Sequence, residues 1–320
     1  MSGNVRTVLG DVPADVLGVM FAHEHLLMTG DWAVMKEPDW RLDSCERAVD
    51  ELQPAMASGL ASVVEMTPLG FGRSPRGLRE ISQATGVHIV AATGFHKSAY
   101  YSDVHWIHRY TEDQIAGLLT GEVTTGMDVH GLTGPFPEVC GARAGVIKIS
   151  TGYHSFGRGV QRLVACVARA ALQTGAPIST HNDKGTMGHE LLDELERHGV
   201  LPDRVVLGHI DHNPDPGLLA ELAARGAYLC LDMAGRTKYA PDSRAVDLFA
   251  GLVSSGAAGR LLLGTDLARR SYWRSLGGGP GLAWTLDRFV PRLHAAGLAA
   301  EATQALTVNP QTAHTLRDPA

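Results

Sequence analysis

The chain has 320 residues, of which 44% are hydrophobic and 19% are charged, and its formal net charge at pH 7 is −6. This composition excludes disordered and fibrous proteins, because it supplies enough apolar residues for a large buried core. The acidic balance argues against binding to nucleic acid, and the lack of an apolar run of about 18 residues predicts no membrane span.

Eight short apolar runs predict buried β-strands: Val16–Ala22, Leu60–Met66, His88–Thr93, Gly145–Ile149, Pro177–Thr180, Arg204–Gly208, Tyr228–Leu231 and Arg260–Gly264. The runs are apolar throughout instead of alternating, which is typical of strands covered on both faces. Helical patterns lie between or after them, at Arg158–Gln173, Leu191–Arg197, Pro216–Arg225 and Leu282–Ala296.

Strands that alternate with helices predict an α/β fold. Eight such repeats predict a closed (β/α)8 TIM barrel, formed by a single domain over residues 1–320. An open, doubly wound sheet is the alternative. It is disfavoured because no GxGxxG motif follows the first predicted strand.

Two features of the chain predict a cytoplasmic location. The first residues lack the basic start and apolar core of a secretory signal. The cysteines Cys45, Cys140, Cys166 and Cys230 include no CxxC pair. We therefore expect free thiols in a reducing compartment.

Polar residues stand within or directly after the predicted strands: His23, His25, Lys148, His181, His209 and Asp266. The carboxyl ends of all strands in a barrel face the same mouth, so we expect these side chains to converge. His23 and His25 are two residues apart, which places both imidazoles on one face of a strand. Two imidazoles on one face supply half of a zinc site.

The four histidines and Asp266 predict a site for two divalent metal ions, and such a pair needs an anionic bridge. Lys148 is the candidate for this bridge, because the chain has only 5 lysines against 23 arginines and this one lies in the apolar run GVIKIS. An ammonium is disfavoured there, whereas a lysine carboxylated by CO₂ is an anion. By residue type alone, Lys148 can also be an edge residue or a Schiff-base lysine, and Asp266 a helix N-cap.

The order of these residues resembles the phosphotriesterase-related family of the amidohydrolase superfamily, over nearly the whole chain. The motifs that carry the resemblance are LGVMFAHEHLL at 17–27, AATGF at 91–95, AGVIKIS at 144–150, THND at 180–183, LGHID at 207–211 and LTVNPQTAHTL at 306–316. The resemblance implies a (β/α)8 barrel, in agreement with the strand count.

The resemblance also implies a ligand set for two divalent ions, with zinc expected: His23, His25 and Asp266 for the more buried ion, His181 and His209 for the more exposed one, and N6-carboxylated Lys148 together with a hydroxide for both. Imidazole and carboxylate ligands also accept manganese, iron or cobalt. In the implied mechanism the bridging hydroxide attacks the substrate, and Asp266 takes its proton and passes it to the leaving group. His209 or Asp211 is the implied outward relay.

Members of this family hydrolyse lactones, phosphorylated sugar lactones and organophosphate triesters. Lys238, Arg269 and Tyr272 resemble the residues that hold the substrate phosphate in the lactonase branch of the family, and this trio suits a phosphate chemically. His96 stands where many members have a tyrosine that contacts substrate, so we expect it in the substrate site. Glu65 stands where many members have aspartate.

The function expected from these features is hydrolysis of a small phosphorylated sugar lactone. The first alternative is an apolar lactone or an organophosphate ester, with His96 and the loop 275–281 shaping a hydrophobic pocket. The second is a metal-free barrel aldolase with Lys148 as its Schiff base, and the third is a non-catalytic binding protein. The sequence leaves the oligomeric state open, a homodimer included.

Overall fold

The computed structural model describes residues 3–134 and 136–319. It begins with an antiparallel hairpin of β1 (Asn4–Thr7) and β2 (Gly10–Pro13), which the apolar runs did not predict because both strands are short and β2 is partly exposed. Val5 of the hairpin is buried in one cluster with Met20 and Val64. The hairpin therefore covers the amino-terminal end of the sheet that follows.

Eight parallel strands form the central barrel: β3 (Val19–Glu24), β4 (Leu60–Glu65), β5 (His88–Gly94), β6 (Val146–Thr151), β7 (Ile178–Asn182), β8 (Val205–Leu207), β9 (Tyr228–Leu231) and β10 (Leu261–Leu263). Each strand pairs with the next in chain order. The backbone N–H groups of Thr265 and Asp266 donate to the carbonyl oxygen of His23, at 3.2 and 3.1 Å, and bring the end of β10 back to β3. A side chain at Gly264 would approach the His23 backbone to 3.0 Å, so the close approach at this seam favours a glycine. The predicted TIM barrel is confirmed, and the open-sheet alternative is wrong.

The helices that the structure describes are α1 (Trp32–Lys36), α2 (Cys45–Ala57), α3 (Pro75–Thr85), α4 (Glu112–Thr124), α5 (Arg158–Thr174), α6 (Gly188–Arg197), α7 (Pro216–Ala224), α8 (Asp242–Ser254), α9 (Val290–Ala295), α10 (Ala299–Leu306) and α11 (Val308–Ala313). At least one helix lies between each pair of consecutive barrel strands, and α9, α10 and α11 follow β10. None of the helices in the described ranges is long and apolar enough to cross a bilayer. The assignment of the whole chain to one domain stays a prediction.

Three predicted elements start three residues away from their predicted positions, and one of these is α6, which starts at Gly188 and not at Leu191. The first strand begins at Val19 and not at Val16, because a short helical turn ends at Gly18 in the left-handed conformation, with φ 58°. The helix predicted from Leu282 instead starts with a π-helical turn over Thr285–Phe289. Pro291 follows that turn and has no backbone N–H to continue an ordinary helical ladder.

Candidate active site

The structure brings the six predicted metal ligands together at the carboxyl end of the barrel. Five of them line a cleft of about 870 Å³, counted with its opening to solvent: His25, Lys148, His181, His209 and Asp266. The sixth, His23, is 1% exposed, and its ring centre lies 4.6 Å from that of His209. The shared orientation of parallel strands in a barrel explains this convergence.

Asp266 lies against the two histidines of the first barrel strand. Its Oδ1 is 3.6 Å from Nε2 of His23 and 3.5 Å from Nε2 of His25. One ligand atom from each of the three residues lies within 4.8 Å of the other two. Two imidazole nitrogens and a carboxylate oxygen at this spacing are a donor set suited to a divalent ion.

Asp232, directly after β9, orients His209 and was not singled out in the sequence. Its Oδ1 lies 2.9 Å from Nδ1 of His209, and its Oδ2 accepts the backbone N–H of His209 at 3.1 Å. A carboxylate accepts from an Nδ1–H, which leaves Nε2 of His209 with its lone pair available. Asp232 also lies 3.5 Å from Nδ1 of His23, so it contacts both rings.

His23 and His181 carry buried ring nitrogens without hydrogen-bond partners among the described residues. Both ring nitrogens of His23 and Nε2 of His181 are in this state. Buried polar atoms are nearly always paired, so these nitrogens are available to a ligand that is not a protein group, such as a metal ion. Burial lowers the pKa of His23 to about 3, which keeps its ring in the neutral form that binds metal ions. The residues present therefore fit a metal centre.

His25 is oriented by a chain of two buried side chains. Its Nδ1 lies 2.8 Å from Oγ1 of Thr67, and that hydroxyl donates to Oε1 of Glu65 at 2.5 Å. Glu65 also accepts the backbone N–H groups of Leu26 and Thr67, each at 3.2 Å. Because the Thr67 hydrogen is directed at the carboxylate, its oxygen accepts from the Nδ1–H of His25. Nε2 of His25 is then free toward Asp266.

Lys148 lies in β6 and is 1% exposed. Its Nζ donates to the carbonyl oxygen of Met66 at 2.8 Å. Burial lowers the pKa of this amine to about 8, so a sizeable fraction is neutral near physiological pH. A neutral amine is the form that reacts with CO₂.

Arg236 is a second site residue that the sequence reasoning missed. It is 5% exposed, and its guanidinium donates to Oδ2 of Asp266 at 2.7 Å and to Oδ1 of Asp232 at 3.1 Å. Burial by itself would raise the pKa of Asp266, but the charges of Arg236 and His209 outweigh it and hold that pKa well below its usual value. Arg236 thus ties together the two acidic residues that contact the histidines.

Two of the three residues expected to hold a phosphate line the cleft, and the third lies beside one of them. Arg269 and Tyr272 line it, whereas Lys238 lies on the rim with its Nζ 5.0 Å from the centre of the Tyr272 ring. Arg269 already has a protein partner, because its NH1 is 3.4 Å from Oδ2 of Asp39. Its guanidinium also lies 5.5 Å from the centre of the Trp40 ring.

His96 lines the cleft as expected. Its ring stacks on Phe71 at 4.9 Å and lies 4.4 Å from the ring of His181. Burial lowers the pKa of His96 well below its usual value, so it presents a neutral ring to the cleft.

Asp211 and the loop 275–281 take no part in the contacts described above for the proposed metal ligands. Among the described residues, Asp211 makes no hydrogen bond to His209 or Asp266, and its Oδ2 accepts the backbone N–H of Met233 at 2.9 Å. At the start of the loop, the N–H of Ser275 donates to the side chain of Glu51 at 2.8 Å. The loop is absent from the described lining of the cleft.

The model of the phosphotriesterase family matches residues 3–313 of the chain. The chain belongs to this family. The family is a group of metal-dependent hydrolases, and the cleft described above lies at the carboxyl end of the barrel strands, where this fold carries its active sites.

The relatives extend over almost the full length of the chain. A phospho-furanose lactonase of Mycoplasmopsis agalactiae is 34% identical over 314 residues, which cover 95% of this chain and 89% of the relative. The crystal structure of an amidohydrolase from Mycoplasma synoviae superposes with a TM-score of 0.96 at 30% identity, covering 100% of this chain and 94% of that one. A lactonase from Listeria monocytogenes superposes with a TM-score of 0.91 at 28% identity, covering 98% and 100%.

Family membership and these relatives identify the chain as a hydrolase of ester bonds, of the lactonase and phosphotriesterase type. Its substrate is a small molecule. This sets aside the Schiff-base aldolase and the non-catalytic binding protein as functions for the barrel.

Proposed function

We propose that the chain is a binuclear metal lactonase that opens a phosphorylated furanose lactone. The proposed ligands are the six converging residues, with two divalent ions, zinc expected, between them: His23, His25, Lys148, His181, His209 and Asp266. The observation that carries this proposal is the set of buried, unpartnered ring nitrogens on His23 and His181, next to a carboxylate that already contacts His23 and His25.

Bound divalent ions supply a water of lowered pKa and a Lewis acid for the ester carbonyl. Asp266 accepts the proton that the water loses as it attacks the carbonyl carbon. The same carboxyl group returns that proton to the ring oxygen when the bond between this oxygen and the carbonyl carbon breaks. Arg236 holds Oδ2 of Asp266 in place through a 2.7 Å hydrogen bond, so the carboxylate needs little rearrangement during the reaction.

Lys148 is proposed to carry a carboxyl group on Nζ and to bridge the two ions. Its neutral amine attacks the carbon of CO₂: the new N–C bond forms as one C=O π bond breaks and its electron pair moves to oxygen, and the nitrogen releases one proton to water. The support for this is the complete burial of the amine and its lowered pKa, since an unmodified ammonium would be costly in this position.

The phosphorylated substrate is supported by the cations and the phenol at one side of the cleft. Tyr272 and Arg269 line that side, and Lys238 lies beside the Tyr272 ring. Tyr272 Oη is buried and has no hydrogen-bond partner among the described residues. The name of the Mycoplasmopsis agalactiae relative points to the same substrate class.

An apolar lactone or an aryl phosphotriester is the second candidate substrate, and one observation favours it. Aromatic rings form one wall of the cleft: Tyr100 packs edge-on against Trp40 at 5.3 Å and against Phe71 at 5.4 Å. Such a wall suits an apolar group of the substrate.

Metal analysis combined with a substrate screen tests the proposal. We expect two equivalents of divalent metal per chain, and a higher kcat/KM for a furanose lactone with a 5-phosphate than for the same lactone without it. A higher kcat/KM for apolar lactones or aryl phosphotriesters would favour the second candidate. A metal-free protein with full lactonase activity would overturn the binuclear mechanism.

A further inference from the structure

Lysines are concentrated at the cleft. The chain has only 5 lysines, against 23 arginines. Lys97, Lys148 and Lys184 line the cleft, and Lys238 stands at its rim beside Tyr272. Lys148 belongs to the metal site, and Lys238 was predicted to hold phosphate, so Lys97 and Lys184 remain to be explained.

Lys97 and Lys184 differ in their partners. Nζ of Lys97 lies 2.9 Å from Oδ2 of Asp183, so these two charges compensate each other. Lys184 directly follows that aspartate, and within the described residues no carboxylate lies in ion-pair distance of its Nζ. The ammonium of Lys184 therefore adds an uncompensated positive charge to a cleft in a protein with net charge −6.

Lys184 is also held in an unfavourable backbone conformation. Its φ is 55° and its ψ is 29°, in the left-handed region where glycine is the usual residue. Such strain is found mainly at functional sites, where the rest of the structure maintains it. Two of the proposed metal ligands share this conformation, since φ is 56° at His209 and 46° at Asp266. Three residues outside the described lining of the cleft share it as well: Leu132, His154 and Met187. The conformation therefore supports a role for Lys184 only together with its charge and its position in the cleft.

Lys184 and Lys238 approach the same aromatic ring. Nζ of Lys184 lies 5.3 Å from the centre of the Tyr239 ring, and Nζ of Lys238 lies 4.9 Å from it. Both ammonium groups add positive charge around this ring, and positive charge there favours the binding of an anion. Tyr239 and Lys184 both line the cleft, so this positive charge lies at the cleft.

We propose that Lys184 is a specificity-determining residue that binds the substrate phosphate together with Lys238. This inference rests on the proposed phosphorylated lactone, and it adds to the trio of Lys238, Arg269 and Tyr272 a residue from the loop after β7. Arg269 is partly neutralised by Asp39, so Lys184 supplies a charge that the trio by itself lacks.

The test compares Lys184→Met with a matched control, Lys36→Met. Lys36 is exposed, lies over the Trp32 ring at 3.4 Å, and is the one lysine outside the group at the cleft. For each variant, kcat/KM is measured on a furanose lactone with and without its 5-phosphate. Lys184→Met is expected to lower the preference for the phosphorylated lactone about tenfold, mainly through KM, as the loss of one charge-assisted contact does. Lys36→Met is expected to keep both values.

Lys184→Gly separates the side chain from the backbone. Glycine relieves the left-handed strain, so we expect Tm to rise by about 2 °C while the preference for phosphate falls as in Lys184→Met. A purely structural lysine would not produce these opposite changes. Inorganic phosphate, used as a competitive inhibitor of unphosphorylated lactone hydrolysis, is expected to bind about tenfold more weakly to both Lys184 variants.

The outcomes distinguish this inference from the proposed function. A wild-type enzyme without preference for the phosphorylated lactone overturns both. A wild-type preference that survives intact in Lys184→Met overturns the role of Lys184 alone. Equal losses on both lactones would also overturn it, because they indicate a general effect on the cleft.

Discussion

The hydrogen-bond chain behind His25 leads to a prediction for Thr67→Val. Valine has nearly the same shape as threonine but no hydroxyl, so it removes the contacts at 2.8 Å to His25 and 2.5 Å to Glu65 without opening a large cavity. All three side chains are buried, so water cannot replace the lost partner. The Nδ1–H of His25 then has no acceptor.

The size of the effect follows from that unpaired donor. A buried polar group without a partner costs about 1–3 kcal/mol. This cost is expected to fall on the tautomer of His25 that binds metal, in which Nδ1 carries the hydrogen. At about 1.4 kcal/mol per factor of ten, it then lowers metal affinity by about 5- to 150-fold. Removal of the group that orients a metal-binding histidine commonly weakens metal binding by about 10–100-fold. We therefore expect a decrease in this range.

A chelator competition titration with zinc measures the effect, with kcat recorded at saturating metal. Thr67→Val should lose affinity and regain most of its activity when excess zinc is added. Thr67→Ser keeps the hydroxyl and is the matched control, expected to bind zinc nearly as the wild type does. Wild-type affinity in Thr67→Val, or an equal loss in both variants, would refute the proposed orientation of His25 by Thr67.

Three further predictions follow from the same structure. Lys148→Ala should lose both metal and activity, and added propionate should restore part of each by replacing the bridging carboxylate; full activity without additive would contradict carboxylation. Asp266→Asn keeps an oxygen ligand but removes the proton acceptor, so kcat should fall by about 10²–10⁴-fold while metal analysis still finds bound ions. An unchanged kcat would assign the proton transfer to another group. Arg73 is 3% exposed and its NH1 donates to Glu122 at 2.7 Å. Arg73→Met should therefore lower the free energy of unfolding by about 3–5 kcal/mol in urea titrations, and Arg73→Met combined with Glu122→Met should recover much of it. A loss below about 1 kcal/mol in the single variant would mean that this pair behaves like an exposed one.

The sequence predicted the convergence of those residues that follow an apolar strand or lie within one. Such positions are those of His23, His181, His209 and Asp266. A barrel brings the ends of its strands together independently of the conformation of the loops between them. Asp232 carried the same signal, because it follows the run YLCL directly, and it could have been found by the same rule. Family resemblance was needed to connect these positions with particular metal ions.

Residues in loops were harder to predict. The stretch AGRTKY contains both Arg236 and Lys238, and the family resemblance pointed only to Lys238. In the structure Arg236 is buried against Asp266 and Asp232, whereas Lys238 is exposed at the rim. Which of two cations in one loop points inward depends on the backbone path of that loop, and residue type does not determine that path.

The sequence by itself determined the barrel, because apolar runs of strand length separated by helical patterns can bury their surfaces in few other ways. It also determined which end of the barrel carries the site, because parallel strands all end on the same side. The tertiary structure alone decided the partners of each site residue: Thr67 and Glu65 for His25, Asp232 for His209, Arg236 for Asp266 and Asp39 for Arg269. Each of these contacts joins segments that are distant along the chain or whose direction depends on a loop. A hydrogen bond forms only when donor and acceptor atoms lie within about 3 Å of each other. Hydrophobic periodicity in the sequence does not determine positions that closely.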